Sequence, residues 1–269
     1  MISLAIVSPK GGVGKTTLGL NLAFAFAQLG RKTLLVDTDP QGGVGHSLSG
    51  KARDARGLVD LVAGEPAEQV VIQTRNPNLS IMPIGQPPWD RLSEWSTRMA
   101  DREFLGSHLA AFEPTYELAI IDTPAGLTGP TYGVLSFASD VLLPIQTEPL
   151  AIRVVGQLME VLAHLKSQGA RARLSAVVLT MARLRDDTSL SVSQEAWGLF
   201  PEKLVLDTIV PRASWSSSIA TPRTPTRSPC ASRCAPASRS KISGPRRGSP
   251  PIRSGGSRTP PARSSASPS

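Results

Sequence analysis

The chain has 269 residues, of which 40% are hydrophobic, and this is enough to bury the core of one α/β domain. The apolar runs are too short to span a membrane, and 1–3 leads directly into a strand-like segment, so we expect a soluble, cytoplasmic protein. The two cysteines, Cys230 and Cys234, lie in a polar segment, which argues against a disulfide framework, a zinc site or an iron–sulfur cluster.

The formal net charge of +8 is distributed unevenly along the chain. Ten Arg and Lys residues and no acidic residue lie in 216–269, whereas 1–215 holds 19 basic and 21 acidic residues, a net charge of −2. A DNA-binding function therefore requires either a local basic patch in 1–215 or the basic C-terminal segment itself.

Residues 1–213 alternate short apolar runs with longer helical periods, a pattern typical of βαβ units. The predicted strands are Leu4–Val7, Thr33–Val36, Leu79–Ile84, Leu118–Ile121, Val141–Ile145, Ala176–Leu179 and Leu204–Val210. The predicted helices are Thr16–Leu29, Leu58–Val62, Leu150–Gln168 and Ser189–Phe200. We therefore predict an α/β fold with a doubly wound, mainly parallel sheet flanked by helices.

The composition changes after Ala213, where Ser, Pro, Arg and Lys replace the periodic apolar residues. A segment of this kind cannot build a core, so 214–269 is predicted to be a disordered, low-complexity basic tail. One interpretation is a genuine arm that neutralises phosphates. The other interpretation is an aberrant or out-of-frame sequence. A GC-rich gene that is translated in the wrong frame yields an amino-acid sequence rich in Pro, Ser and Arg.

A glycine-rich segment, Ser8–Thr17, lies between the first predicted strand and the first predicted helix. Its glycines allow backbone N–H groups to converge on phosphates, Lys15 can reach the β and γ oxygens, and the Thr16 hydroxyl can bind magnesium. The sequence therefore predicts a phosphate-binding loop for a nucleoside triphosphate with Mg²⁺. The predicted nucleotide-binding residues here are Lys10, Gly11, Gly12, Val13, Gly14, Lys15, Thr16 and Thr17.

This loop departs from the common G-x-x-x-x-G-K-[ST] pattern, because Pro9 occupies the first glycine position and Lys10 follows it. The segment Lys10–Thr17 resembles the deviant Walker A box of the ParA/MinD family of ATPases. The resemblance implies that Lys10 reaches across a dimer to the nucleotide of the partner copy. It also implies a magnesium-dependent ATPase with a low intrinsic rate, in which Lys10 and Lys15 are catalytic.

Two carboxylate sites follow later predicted strands, at the edge where an open parallel sheet binds its ligand. Leu34–Gly42 looks like the second box of the same family, and this likeness implies that Asp39 is the catalytic residue that orients water while Asp37 lies near the magnesium shell. Asp122 follows an apolar strand in the Walker B arrangement and is predicted to hold magnesium through water. The predicted metal-site residues are Thr16, Asp37 and Asp122.

Two further segments extend the resemblance to residues 2–213. Val141–Glu148 is similar to the strand and turn that follow the family's second switch, and Asp207–Arg212 is similar to the strand that brackets the adenine, with Pro211 as the nucleotide contact. In isolation both are ordinary core strands.

The Asp39–Gly42 sequence points to the ParA/Soj side of the family, whose members partition chromosomes or plasmids. This implies an ATP-dependent homodimer that binds nonspecific DNA, a ParB-like stimulating protein and a nucleoid-associated location. No membrane contact is expected, since prolines interrupt any amphipathic helix in 214–269. Candidate DNA contacts are Arg183, Arg185 and Arg212.

After Arg212 the chain lacks the family's usual closing strand and helix, so two alternatives to DNA partitioning stay open. One is nucleotide-dependent positioning of a protein cargo without DNA. The other is a truncated, catalytically silent nucleotide binder.

Overall fold

The computed structural model describes residues 1–48, 55–148, 151–183, 186–201 and 203–212. The predicted tail and Arg185 lie outside these ranges. The strands are β1 (Ile2–Ile6), β2 (Thr33–Asp37), β3 (Ile72–Gln73), β4 (Leu79–Met82), β5 (Leu118–Asp122), β6 (Asp140–Gln146), β7 (Arg173–Ala182) and β8 (Val205–Pro211). The described helices are α1 (Lys15–Gln28), α2 (Gly43–His46), α3 (Leu58–Val62), α4 (Leu92–Met99), α5 (Phe104–Leu109), α6 (Pro130–Phe137), α7 (Ala151–Ser167) and α8 (Asp187–Leu199).

The strands form one sheet in the order β3-β4-β2-β5-β1-β6-β7-β8. Every neighbouring pair is parallel except β3 and β4. From β1 the chain first builds the sheet on one side, through β2 and β5, and then crosses to the other side to add β6. The strand order thus reverses beside β1, and such a reversal point is where open α/β sheets place their ligand crevice.

Helices cover both faces of the sheet, because alternate side chains of each strand point to opposite faces. On one face, Ile6, Leu35 and Ile120 pack with Ala23 and Ala27 of α1. On the other face, the remaining strand side chains form a larger core with helices α3 to α8. Burial on both faces explains why the strands are nearly continuous apolar runs. None of the helices in the described ranges has the length and apolar character needed to cross a membrane.

The register of the three central strands sets the geometry of the carboxyl edge. Asp122 at the end of β5 lies opposite Ile6 of β1 on one side and opposite Asp37 of β2 on the other. The two carboxylate-bearing strand ends are therefore direct neighbours, next to the loop that follows β1.

The predicted fold class is confirmed, and the differences concern the bounds and the number of the elements. Strand β4 ends at Met82, two residues before the predicted end, and β7 extends the predicted Ala176–Leu179 at both ends. Five elements were not among those predicted from the sequence: β3 and the helices α2, α4, α5 and α6. Two of them, β3 and α6, lack the pattern that sequence reasoning needs. Strand β3 has only two residues, and α6 is apolar almost all round, so neither shows a clear period.

Candidate nucleotide-binding site

The glycine-rich loop connects β1 to α1 at the centre of the carboxyl edge. Gly14 immediately precedes α1 and has φ +91°, a left-handed conformation that favours glycine. No side chain caps the helix at this position, so its first N–H groups point into the loop. Free N–H groups at a helix N-terminus form a ready site for phosphate.

Lys15, the first residue of α1, is buried beneath the loop with 8% of its surface exposed. Burial lowers the pKa of its ammonium group, while the nearby carboxylates of Asp122 and Asp39 act in the opposite direction. A triphosphate in the loop would place further negative charge beside this partly desolvated ammonium group.

Thr16 and Asp122 meet directly at the end of β5, where the Thr16 hydroxyl donates a 2.6 Å hydrogen bond to Asp122 Oδ2. The other oxygen, Asp122 Oδ1, is buried and has no hydrogen-bond partner among the described residues. Burial raises the pKa of Asp122 to about 6, against the lowering effects of the Thr16 hydrogen bond and of Lys15. An oxygen pair of this kind fits a hard cation such as Mg²⁺.

The residues at this edge do not form an all-protein metal cage. Across the described ranges, no group of three or more His, Cys, Asp or Glu side chains is placed to hold a metal ion. A cation here would need phosphate or water oxygens in addition to Thr16 and Asp122, and Mg²⁺ is commonly bound with one or two carboxylates in this way.

Asp37 is fully buried at the end of β2, and its carboxylate organises the following turn. Asp37 Oδ1 accepts a 3.0 Å hydrogen bond from the Asp39 N–H, and Oδ2 accepts a 3.1 Å bond from the Val44 N–H. Burial, together with the charge of Asp122, nevertheless raises the pKa of Asp37 to about 8. The same turn carries Asp39, whose Oδ1 accepts a 2.9 Å bond from the Gln41 N–H.

Lys10 projects from the outer side of the loop and forms an ion pair with Glu148, which follows β6. Both side chains are about half exposed, at 50% and 55%. Two residues earlier, Gln146 donates a 3.1 Å hydrogen bond to the carbonyl oxygen of Gly12. The end of β6 therefore contacts the phosphate loop at two points.

A cavity of about 780 Å³ opens beside the loop, between α1 and the ends of β7 and β8. Its lining includes Gly12–Gly14 and Thr17 on one side and Thr180, Met181 and Pro211 on the other. Pro211, the predicted nucleotide contact, is among the lining residues, and the volume is in the range of small-molecule sites.

The three predicted DNA-binding arginines are not equivalent. Arg212 lines the mouth of the same cavity, and Arg183 is exposed after β7. The Arg183 N–H donates a 3.1 Å hydrogen bond to Ser189 Oγ at the start of α8. Arg185 lies outside the described residues, so the structure gives no geometry for the set as a whole.

Sequence reasoning did not identify Gln146 and Gly43 as parts of the site. A Cβ atom on Gly43 would lie 3.0 Å from the Thr16 hydroxyl, so the second box passes close to the metal-site residue. The sequence Gln41–Gly43 has two successive glycines, and the second of them could have indicated a close approach of the backbone to another part of the site. Gln146 lies 134 residues from its partner, and a glutamine at a strand end carries no such signal.

Comparisons with known proteins find similar proteins over most of the chain. A family model described as an AAA domain matches residues 1–176. The chromosome partitioning protein ParA of Caulobacter vibrioides is 32% identical over 214 residues, which cover 78% of this chain and 80% of that protein. The sporulation initiation inhibitor protein Soj of Bacillus subtilis is 30% identical over 212 residues, which cover 78% and 83%.

A solved structure of similar fold is that of cobyrinic acid a,c-diamide synthase from Mycobacterium smegmatis with bound ATP analog and magnesium. It has a TM-score of 0.69 and 28% identity and covers 79% of this chain and 88% of its own. Together with a P-loop NTPase fold and a deviant Walker A sequence at 10–17, these matches over most of the chain show that it belongs to the ParA/MinD family of ATPases.

Proposed function

We propose that this protein is a magnesium-dependent ATPase of the ParA type, which dimerises on ATP, binds nonspecific DNA and hydrolyses ATP to drive chromosome or plasmid partitioning. The observation that carries the proposal is the convergence of Lys15, Thr16 and Asp122 beneath a loop that also presents Lys10. Each of these groups has a distinct role in phosphoryl transfer, which requires positioning and charge stabilisation more than covalent chemistry.

Lys15 would bind the β and γ oxygens, and its desolvation strengthens that interaction. Asp39 would orient the attacking water, because it lies in the turn that Asp37 fixes and close enough to act on the charge of Lys15. Thr16 and Asp122 would hold Mg²⁺, which supplies positive charge against the phosphate oxygens. Pro211 and the part of the 780 Å³ cavity around it would enclose the nucleoside.

Lys10 would act in trans on the nucleotide of a second copy, as an arginine finger does. Hydrolysis would then be slow in the isolated chain and would rise as dimers form. The names of the relatives, which include chromosome partitioning protein ParA, support a partitioning role with a ParB-like partner and a nucleoid-associated location. Arg183, Arg185 and Arg212 are the proposed DNA contacts, and the basic tail is a second candidate.

Phosphate release at increasing protein concentration tests the enzymatic part. We expect the rate per chain to rise with concentration in wild type, and Asp39→Ala to reduce it at least 100-fold, on the order expected for a water-positioning group. Asp90→Ala, at a side chain that is 78% exposed, serves as the matched control. A concentration-independent rate would exclude the trans role of Lys10, and no phosphate release at all would favour the silent binder.

Filter retention of plasmid DNA tests the DNA part. We expect retention with ATP but not with ADP, and Asp39→Ala should prolong it, because that variant would close the dimer without hydrolysing ATP. If the protein hydrolyses ATP but retains DNA weakly and equally with both nucleotides, the result would favour the alternative, in which it positions a protein cargo without DNA.

A further inference from the structure

The ion pair between Lys10 and Glu148 joins two segments that are far apart in sequence at the mouth of the nucleotide cavity. Glu148 lines that cavity together with Gln146, which is the last residue of β6. The chain turns directly after the strand, where the Glu148 N–H donates a 2.8 Å hydrogen bond to the Gln146 carbonyl oxygen, and both side chains contact the phosphate loop. The Gln146 bond to Gly12 fixes this end of β6 against the loop and thereby places the Glu148 carboxylate beside Lys10.

A carboxylate in this position does not favour a bound triphosphate, since like charges repel. The ion pair between Glu148 and Lys10 therefore stabilises the nucleotide-free state, in which no phosphate competes for the ammonium group. Both side chains are about half exposed, and ion pairs of such exposure hold weakly. A triphosphate in the loop, with several negative charges, is a stronger competitor than one glutamate.

We propose that Glu148 is a positioning residue for Lys10: it keeps the ammonium group on its own chain until ATP occupies the loop, so that ATP binding releases Lys10 toward a second copy. This inference rests on the proposed role of Lys10 in an ATP-dependent dimer. Its consequence is a higher protein concentration at which turnover begins, with no change in the rate of the completed dimer.

The first experiment tests the pair itself in the full chain without nucleotide. Lys10 is labelled with an amine-reactive N-hydroxysuccinimide ester and followed by mass spectrometry, with the exposed Lys166 as internal reference. Glu148→Gln should speed Lys10 labelling by about 1.5- to fivefold, the range that corresponds to an exposed ion pair. The matched control is Glu117→Gln, which removes the Arg31 pair of 2.9 Å at a site of similar exposure. Equal Lys10 labelling in both variants would overturn the proposal.

The second experiment tests the consequence for turnover. Glu148→Gln should lower the protein concentration that gives half-maximal phosphate release by about 1.5- to fivefold and leave the rate at saturating protein unchanged. Glu148→Asp should restore the threshold toward the wild-type value, because it keeps the charge. A lower saturating rate in Glu148→Gln would show that the carboxylate supports the closed dimer instead, and this would overturn the proposal.

The two experiments also separate this inference from the proposed function. If wild-type turnover per chain does not depend on protein concentration, the dimer mechanism fails and the release of Lys10 toward a second copy fails with it. The labelling rates still decide whether Glu148 holds Lys10. If turnover does depend on concentration but Glu148→Gln behaves like Glu117→Gln, only the role of Glu148 is lost.

Discussion

Thr16 donates a 2.6 Å hydrogen bond to one carboxylate oxygen of Asp122, while the second oxygen of Asp122 is buried with no partner in the described part of the chain. The acid is thus half satisfied before any cation or nucleotide binds. An arrangement of this kind costs stability in the empty protein and is compensated by ligand binding.

The cost should appear in the pH dependence of unfolding. Burial raises the pKa of Asp122 from 3.8 to about 6, so its stabilising contribution is present below about pH 4 and is lost as the pH rises through 6. Without nucleotide and magnesium, the free energy of unfolding of Asp122→Asn relative to that of wild type should therefore be about 1 to 3 kcal/mol higher at pH 7 than at pH 4. Urea unfolding at both pH values measures this gain.

The exposed Asp90→Asn provides the control for that experiment, and its difference from wild type should be the same at both pH values. Adding ATP with magnesium should make wild type the more stable of the two proteins at pH 7, because wild type gains ligand stabilisation that Asp122→Asn lacks. A pH-independent difference for Asp122→Asn would contradict the prediction.

A side chain on Gly43 should displace Thr16, because a Cβ atom there would lie 3.0 Å from the Thr16 hydroxyl. Gly43→Ala should push Thr16 away from Asp122 and weaken ATP binding in the presence of magnesium by about tenfold, the loss of one strong hydrogen bond to a charged group. Gly45→Ala, in the same short helix, meets no atom within 4 Å and should bind ATP as wild type does. Isothermal titration with a slowly hydrolysed ATP analogue compares the two, and equal affinities would refute the prediction.

A buried pair of hydroxyl groups, Thr147 and Ser189, links the end of β6 to the start of α8. Ser189 Oγ also accepts the Arg183 N–H bond, so Ser189→Ala should leave two polar groups unpaired and cost about 1 to 3 kcal/mol. Ser193→Ala removes only a 2.8 Å bond to a helix carbonyl one turn earlier and should cost less than about 1 kcal/mol. Urea unfolding curves give both values, and similar losses would show that the hydroxyl pair has no special role.

The C-terminal tail should dominate DNA binding if it is a genuine arm, because residues 1–215 carry a net charge of −2 and 216–269 carry ten basic residues. Deleting 216–269 should then lower plasmid affinity at least tenfold at low salt and flatten its salt dependence. Filter binding from 50 to 200 mM salt measures both quantities. Unchanged binding after the deletion would place the DNA contacts on Arg183, Arg185 and Arg212 or their neighbours, and resequencing the coding region would test an out-of-frame origin of the tail.

The sequence was sufficient to predict those parts of the site whose residues lie close together along the chain or at strand ends. Lys15 and Thr16 follow from the loop, and Asp122 follows from an apolar strand in a parallel sheet. The contact of Lys10 with Glu148 could not be predicted, since 138 residues separate them and a glutamate after a strand is an ordinary surface residue. The same holds for the two hydrogen bonds of Asp37, which depend on how the turn to Val44 folds back.

The register of β2 and β5 has a consequence for how the length of this chain can vary. The pairing runs without a break from Thr33 opposite Leu118 to Asp37 opposite Asp122. Deleting one residue inside β5 would turn Asp122 to the other face of the sheet, away from Thr16. Insertions and deletions compatible with the site are therefore confined to the connections between strands, whereas the central strands must keep their length to the residue.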